Sequence, residues 1–300
     1  MTPALGLETV LGGRAVVLNR RSNAYTSTSP TEIVTCQLDD GREIQLLCKH
    51  PGRVEHRAFG HRGDLAYEAS VYREVLSTSG LSVPHFYGET TGDDHALVIE
   101  FLERATCTDE AVPIADAMCV AARWAGRFHA RYEGASPPLT RYDSEYYRLW
   151  PRRTLELAGP WLERLPWLTD FCRRAEAHIG EIVEQPATVI HGEFTPHNIL
   201  IRDGVAYPVD WESSAIALGE IDLACLVDKW PADVASRCEA EYVSARWPGG
   251  RPAAFARRLD LARLYWDLRW LGDRPEWTAS EKVGPRFEHL RVVGERLGLL

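Results

Sequence analysis

Residues 189–212 read VIHGEFTPHNILIRDGVAYPVDWE, and the spacing of their polar side chains decides how the rest of the chain is read. The apolar run that ends at Ile190 is a strand, so His191, Gly192 and Glu193 lie on the loop leaving it. Asn198-Ile199-Leu200-Ile201 opens a new strand, Asp203-Gly204 turns it, and Val205 to Val209 return. That hairpin carries Asn198 and Asp210 to the same end. An amide oxygen and a carboxylate held together at a strand end are the hard oxygen donors that Mg²⁺ prefers. Glu193, upstream on the same loop, has the chemistry to orient or deprotonate a hydroxyl for in-line attack on phosphorus.

This pattern resembles the aminoglycoside phosphotransferase and choline kinase branch of the protein-kinase-like superfamily. The catalytic loop of that branch reads HGDxxxxN, and its metal-binding aspartate follows a short hairpin, commonly succeeded by Trp or Phe and then Glu. The matching residues are His191, Gly192, Pro196, Asn198, Asp210, Trp211 and Glu212; Glu193 stands where the family has Asp. The resemblance implies an α+β, bilobal, protein-kinase-like fold. Residues 1–103 would form a small β-rich nucleotide-binding lobe with one main helix, and residues 104–300 a larger, mainly helical lobe for catalysis and acceptor binding. It implies ATP and Mg²⁺ as cofactors, with Asn198 and Asp210 on the metal and Glu193 as base or orienter. The reaction implied is transfer of the γ-phosphate to a hydroxyl of a small molecule that is aminoglycoside-, sugar- or amino-alcohol-like. Glu193 leaves other outcomes open: a pseudokinase-like protein that binds nucleotide but transfers poorly, or a retained nucleotide site serving other chemistry such as nucleotidyl transfer.

AVVLN (15–19) and the two β-rich runs around Asp39-Asp40-Gly41 within 31–50 are strands, residues 64–80 a helix with Asp64 as N-cap and Gly80 as stop, and SVPHFYGET and ALVIEFLE two more strands. Apolar residues recur at helical spacing over 116–133, 169–184 and 253–271, and all ten tryptophans lie at or beyond Trp124. The family requires a third-strand lysine for the α/β-phosphates and a helix glutamate to steady it. Lys49 fits the first, being the only lysine before Lys229. Glu68 fits the second better than Glu74, because it shares a helix face with Leu65, Val71, Tyr72 and Val75. Ser27, Thr28 and Ser29 are candidates to cradle phosphates without a glycine-rich loop, although an ordinary Ser/Thr turn explains them equally well. Glu100 to Leu102 would offer backbone contacts to adenine. Asp222 resembles the later aspartate of the family that braces the catalytic loop. Only 11 residues separate it from Asp210, too few for a long activation segment, which points away from a protein kinase.

Composition narrows the partners. A net charge of −9 argues against nucleic acid, whose backbone recruits basic surfaces. No run approaches the length of a membrane helix and no signal peptide is visible, so the expected setting is cytoplasmic with no membrane partner. The seven scattered cysteines read as buried small hydrophobes in a reducing compartment. For the acceptor, Trp150, Trp161, Trp167, Trp266 and Trp270 and the acids Asp267 and Asp273 are candidates by position alone; oligomeric state has no sequence signal.

Overall fold

A computed structural model describes residues 6–23, 29–52, 64–92 and 95–300. The chain divides into two compact units, Met1–Ala117 with His197–Ser214, and Met118–Pro196 with Ala215–Leu300.

The first unit is built on a five-stranded antiparallel sheet in the order β1-β2-β3-β5-β4. Its strands are β1 (Ala15–Ser22), β2 (Thr31–Leu38), β3 (Glu43–Lys49), β4 (Phe86–Glu89) and β5 (Leu97–Glu100). Successive side chains of a strand point to opposite faces, and here that alternation separates two roles. Val34, Cys36, Leu46, Cys48, Ala96 and Val98 face a core shared with Leu7. The intervening Thr31, Ile33, Leu47, Lys49, Leu97 and Ile99 line a cavity. A one-residue slip would exchange the two sets, so the buried face holds the register that presents Lys49 to the cavity. Leu7 belongs to a short helix, α1 (Leu7–Leu11), that the sequence reading did not anticipate. Its five residues are too few to show a period, and it is ordered by tertiary packing.

Helix α2 (Leu65–Glu74) starts where Asp64 caps the backbone N–H groups of Ala66 and Tyr67. It ends earlier than expected, and a single 3₁₀ turn at Leu76–Thr78 precedes the left-handed Gly80. The unit is completed by a second, three-stranded sheet, β6 (Thr106–Cys107), β8 (Ile199–Arg202) and β9 (Val205–Pro208). Asp203 and Gly204 turn the β8–β9 hairpin with φ of 52° and 75°, the left-handed pair that a two-residue loop requires.

The second unit carries α3 (Ile114–Tyr132, which begins in the first unit), α4 (Ser144–Leu157), α5 (Gly159–Leu162), α6 (Leu168–Ala177) and α7 (Ile179–Val183). It continues with the antiparallel pair β7 (Ala187–Ile190) and β10 (Ala215–Leu218). Helices α8 (Glu220–Leu226), α9 (Ala232–Arg246), α10 (Phe255–Asp273), α11 (Pro275–Thr278) and α12 (Gly284–Leu297) complete it. The helix expected over 169–184 is broken at His178 into α6 and α7. Helix α10 is buried on nearly every side, with Leu259, Leu261, Leu264, Leu268 and Leu271 all inside, the pattern of a central helix.

Several acceptor candidates are consumed by this core. Trp150, Trp161 and Trp266 are buried. Asp267 is closed to solvent and accepts from Arg286 and His289, each at 2.7 Å. The Asp267 contacts tie α10 to α12, and neither this carboxylate nor the three buried tryptophans are open to a ligand. All seven cysteines are buried and unpaired. Among the described residues, no helix is long and apolar enough to cross a membrane.

Candidate functional site

In the first unit, Lys49 at the end of β3 is the centre of an ionic cluster. Its Nζ lies 2.7 Å from Glu68, 2.5 Å from Asp210 and 3.4 Å from Glu212. Burial disfavours the ammonium, but Asp210, then Glu68 and Glu212, outweigh it and hold the Lys49 proton well above its ordinary value. Burial pushes the Glu68 carboxyl up against the pull of Lys49, and the nearby Asp210 charge adds to the rise. The second oxygen of Glu68 accepts from the Trp211 backbone N–H at 3.1 Å, which ties α2 to the segment after Asp210. Glu74 is exposed, so the choice of Glu68 from helix periodicity agrees with its position. Asp210 itself adopts φ 67°, a left-handed backbone that a non-glycine residue keeps only where its surroundings impose it.

Asn198 and Asp210 sit at the same end of the hairpin, with Val209 N–H donating to the Asn198 carbonyl at 2.9 Å. Both line the cavity above the sheet, together with Lys49, Glu68, Ser29, Glu100 and Leu102. Its volume is about 590 Å³, within the range of small-molecule sites. Ile33, Leu47, Leu97, Ile99, Leu200 and Val209 make its walls apolar enough to sandwich a planar base. Leu102 N–H donates to no acceptor among the described residues, as an adenine-binding position requires. Ser29 and Thr31 are lining residues of the cavity, and their buried hydroxyls have no hydrogen-bond partner among the described residues. At the charged end, one ammonium faces three carboxylates, all of them oxygen donors; Glu68, Asp210 and Glu212 lie close enough together to share a cation. This donor set fits a hard divalent ion. Ser27 and Thr28 lie outside the described residues.

The catalytic-loop candidates of the second unit are held from beneath. Asp222 is 1% exposed; its carboxylate accepts from the backbone N–H groups of His191 at 2.7 Å and Gly192 at 2.9 Å, and it meets His129 Nε2 at 3.1 Å. Gly192 takes φ 84°, a left-handed turn that aims the following residue. Asp222→Asn keeps the shape but replaces one acceptor oxygen by an amine facing an N–H. The expected loss is about 1–3 kcal/mol of stability, read by urea denaturation; an unchanged midpoint would remove Asp222 from this bracing role.

Glu193 donates its backbone N–H to His191 Nδ1 at 3.3 Å, and its carboxylate is ion-paired with Arg269 of α10. Arg269 is 4% exposed. Burial disfavours the guanidinium, yet Glu193 first, then Tyr265, Tyr146 and Tyr142, hold it well above its ordinary value. Tyr142 and Tyr146 stack at 3.7 Å, Tyr146 and Tyr265 hydroxyls meet at 2.9 Å, and the Arg269 guanidinium lies 5.2 Å from the centre of the Trp266 ring.

The sequence reading missed Arg269, 76 residues from Glu193, because nothing in a helical arginine announces a distant partner. It also missed Thr31, which follows the Ser/Thr turn directly, and Arg21 and Arg104, which line the cavity. Of these only Thr31 carried a local signal, being a hydroxyl at the start of a strand beside the candidate loop.

Comparison with known proteins agrees with this fold. A family model described as the phosphotransferase enzyme family matches residues 49–274. No curated protein matches the chain. Among solved structures, the fold is similar to the GDP complex of a mutant aminoglycoside 2′-phosphotransferase-IIIa, with a TM-score of 0.66 at 12% identity over 97% of this chain and 96% of that one. It is similar to a putative fructosamine-3-kinase from Thermobifida fusca YX-ER1, with a TM-score of 0.62 at 17% identity over 97% and 99%. It is also similar to a choline kinase from Cryptosporidium parvum Iowa II, with a TM-score of 0.61 at 13% identity over 94% and 91%. With the family model spanning most of the chain and the α+β kinase-like fold shared with these structures, this protein belongs to the phosphotransferase enzyme family.

Proposed function

We propose that the chain transfers the γ-phosphoryl group of ATP to a hydroxyl of a small molecule of the aminoglycoside, sugar or amino-alcohol kind. The observation that carries this reading is the Lys49–Glu68–Asp210 cluster at one end of a base-sized cavity. Similar structures with bound ATP and bound ADP lend it support. Bound ATP–Mg²⁺ supplies the phosphoryl group and neutralises its charge. Lys49 holds the α- and β-phosphates, and Glu68 keeps Lys49 extended and charged. Asn198 and Asp210 hold the metal, Ser29 and Thr31 donate to phosphate, and Leu102 N–H meets the base. Glu193 orients the acceptor hydroxyl and takes its proton. Positioning and electrostatics dominate such transfers, so the buried cluster matters more than base strength.

The second reading, a nucleotide-binding protein impaired in transfer, draws on one observation: Glu193 is already engaged by Arg269. An ADP-release screen of the purified protein over hydroxyl-bearing metabolites separates the two. Transfer predicts ATP-dependent ADP release with at least one acceptor class. Nucleotide-induced thermal stabilisation with no ADP release for any acceptor would favour the second reading.

A further inference from the structure

We propose that Cys107, Asp109 and His197 form a binding site for a soft divalent cation, Zn²⁺ foremost, in the wall of the cavity and separate from the Asp210 oxygen donors. One donor atom from each of the three lies within 4.8 Å of the others. Asp109 Oδ2 and His197 Nδ1 are 3.8 Å apart. Ligand atoms on a tetrahedral zinc are spaced by roughly 3.3–3.7 Å, given metal–ligand bonds near 2.0–2.3 Å, so small side-chain adjustments close the set around an ion.

The donors come from two turns fixed to one strand. Cys107 pairs with Leu200 of β8, and Thr108, between the two ligands, is wholly buried and donates to the Ile199 carbonyl at 2.8 Å. His197 lies in the 3₁₀ turn Pro196–Asn198, immediately before β8. The backbone segments that carry the three ligands are therefore held beside one another.

An independent observation points to an ion. Asp109 Oδ1 is buried and has no hydrogen-bond partner among the described residues. The Asp109–His197 contact runs through the other oxygen, Oδ2, and at 3.8 Å is too long for a hydrogen bond, so it leaves Oδ1 unsatisfied. A thiol and an imidazole select zinc over magnesium, and three protein ligands leave a fourth position for water or an incoming group. On binding, the Cys107 thiol gives its proton to solvent and its sulfur to the metal. Cys107 and His197 also line the cavity, so an ion here and a ligand there touch the same side chains.

The test uses Co²⁺ as a coloured stand-in, titrated into the reduced full chain. The expected result is a thiolate-to-cobalt charge-transfer band that saturates at one metal per chain, is bleached by Zn²⁺ and withstands excess Mg²⁺. Cys107→Ser removes the band. His197→Ala, a change at an exposed side chain that leaves the core intact, weakens Co²⁺ affinity by on the order of 10–100-fold. Asp210→Ala retains it. No saturable band, a band that survives Cys107→Ser, unchanged affinity in His197→Ala, or displacement by Mg²⁺ would overturn the proposal, and none of these depends on phosphotransferase activity.

Discussion

Lys49→Met is expected to lower stability and eliminate transfer together. The lysine side chain is 10% exposed and holds Glu68 and Glu212, which are 2% and 4% exposed, along with Asp210. Deleting one partner of a buried ionic cluster leaves the others uncompensated, at a cost of about 3–5 kcal/mol. The same change removes the cation that grips the phosphates, and turnover should fall by on the order of 10²–10³-fold. Stability and chemistry can be separated with a second substitution. Lys49→Met with Glu68→Gln removes one of the stranded carboxylates, so the double variant should be more stable than the sum of the single losses, with a coupling of about 1–3 kcal/mol by urea denaturation. It should not recover activity or nucleotide-induced thermal stabilisation. Full nucleotide stabilisation and turnover in Lys49→Met would mean that the nucleotide binds elsewhere.

Restoring the family residue at position 193 is expected to damage the protein rather than improve it. Aspartate is shorter by one methylene, about 1.5 Å. The Glu193 carboxylate reaches Arg269, which is buried and charged. Glu193→Asp pulls the acceptor away from that guanidinium, and losing a charge-assisted hydrogen bond of this kind costs about 1–3 kcal/mol. Misplacing a reacting carboxylate by about 1 Å costs on the order of 10²-fold in kcat, so a fall of that size is expected in ADP release with KM for ATP unchanged. A rise in kcat would instead show that the longer side chain handicaps transfer, which is the impaired reading. Glu193→Ala sharpens the contrast: a loss of about 10²–10⁴-fold marks a working base, and no change marks a bystander.

How far the site was legible depended on how local its signals were. The HGE loop, the hairpin and Asp210 lie within 24 residues, and strand alternation with a two-residue turn is enough to bring Asn198 and Asp210 to one end. Helix periodicity chose Glu68 over Glu74 for the same reason: which face a residue occupies is settled by 3.6 residues per turn. Trp150, Trp161, Trp266 and Asp267 turn out to be core because residue type does not reveal whether an aromatic or acidic side chain is core or pocket; packing of α10 against α12 put Asp267 under Arg286.

Short-range pattern was enough for the family and the α+β class, because the spacing of the loop, the hairpin and the strand and helix periods are all local. What surrounds that loop and hairpin follows from packing. The Glu193–Arg269 pair and the Cys107–Asp109–His197 cluster join residues from distant turns, and the Ser29 and Thr31 hydroxyls are buried without partners among the described residues. Burial and through-space distance create those features, and neither is a property of neighbouring letters in a chain.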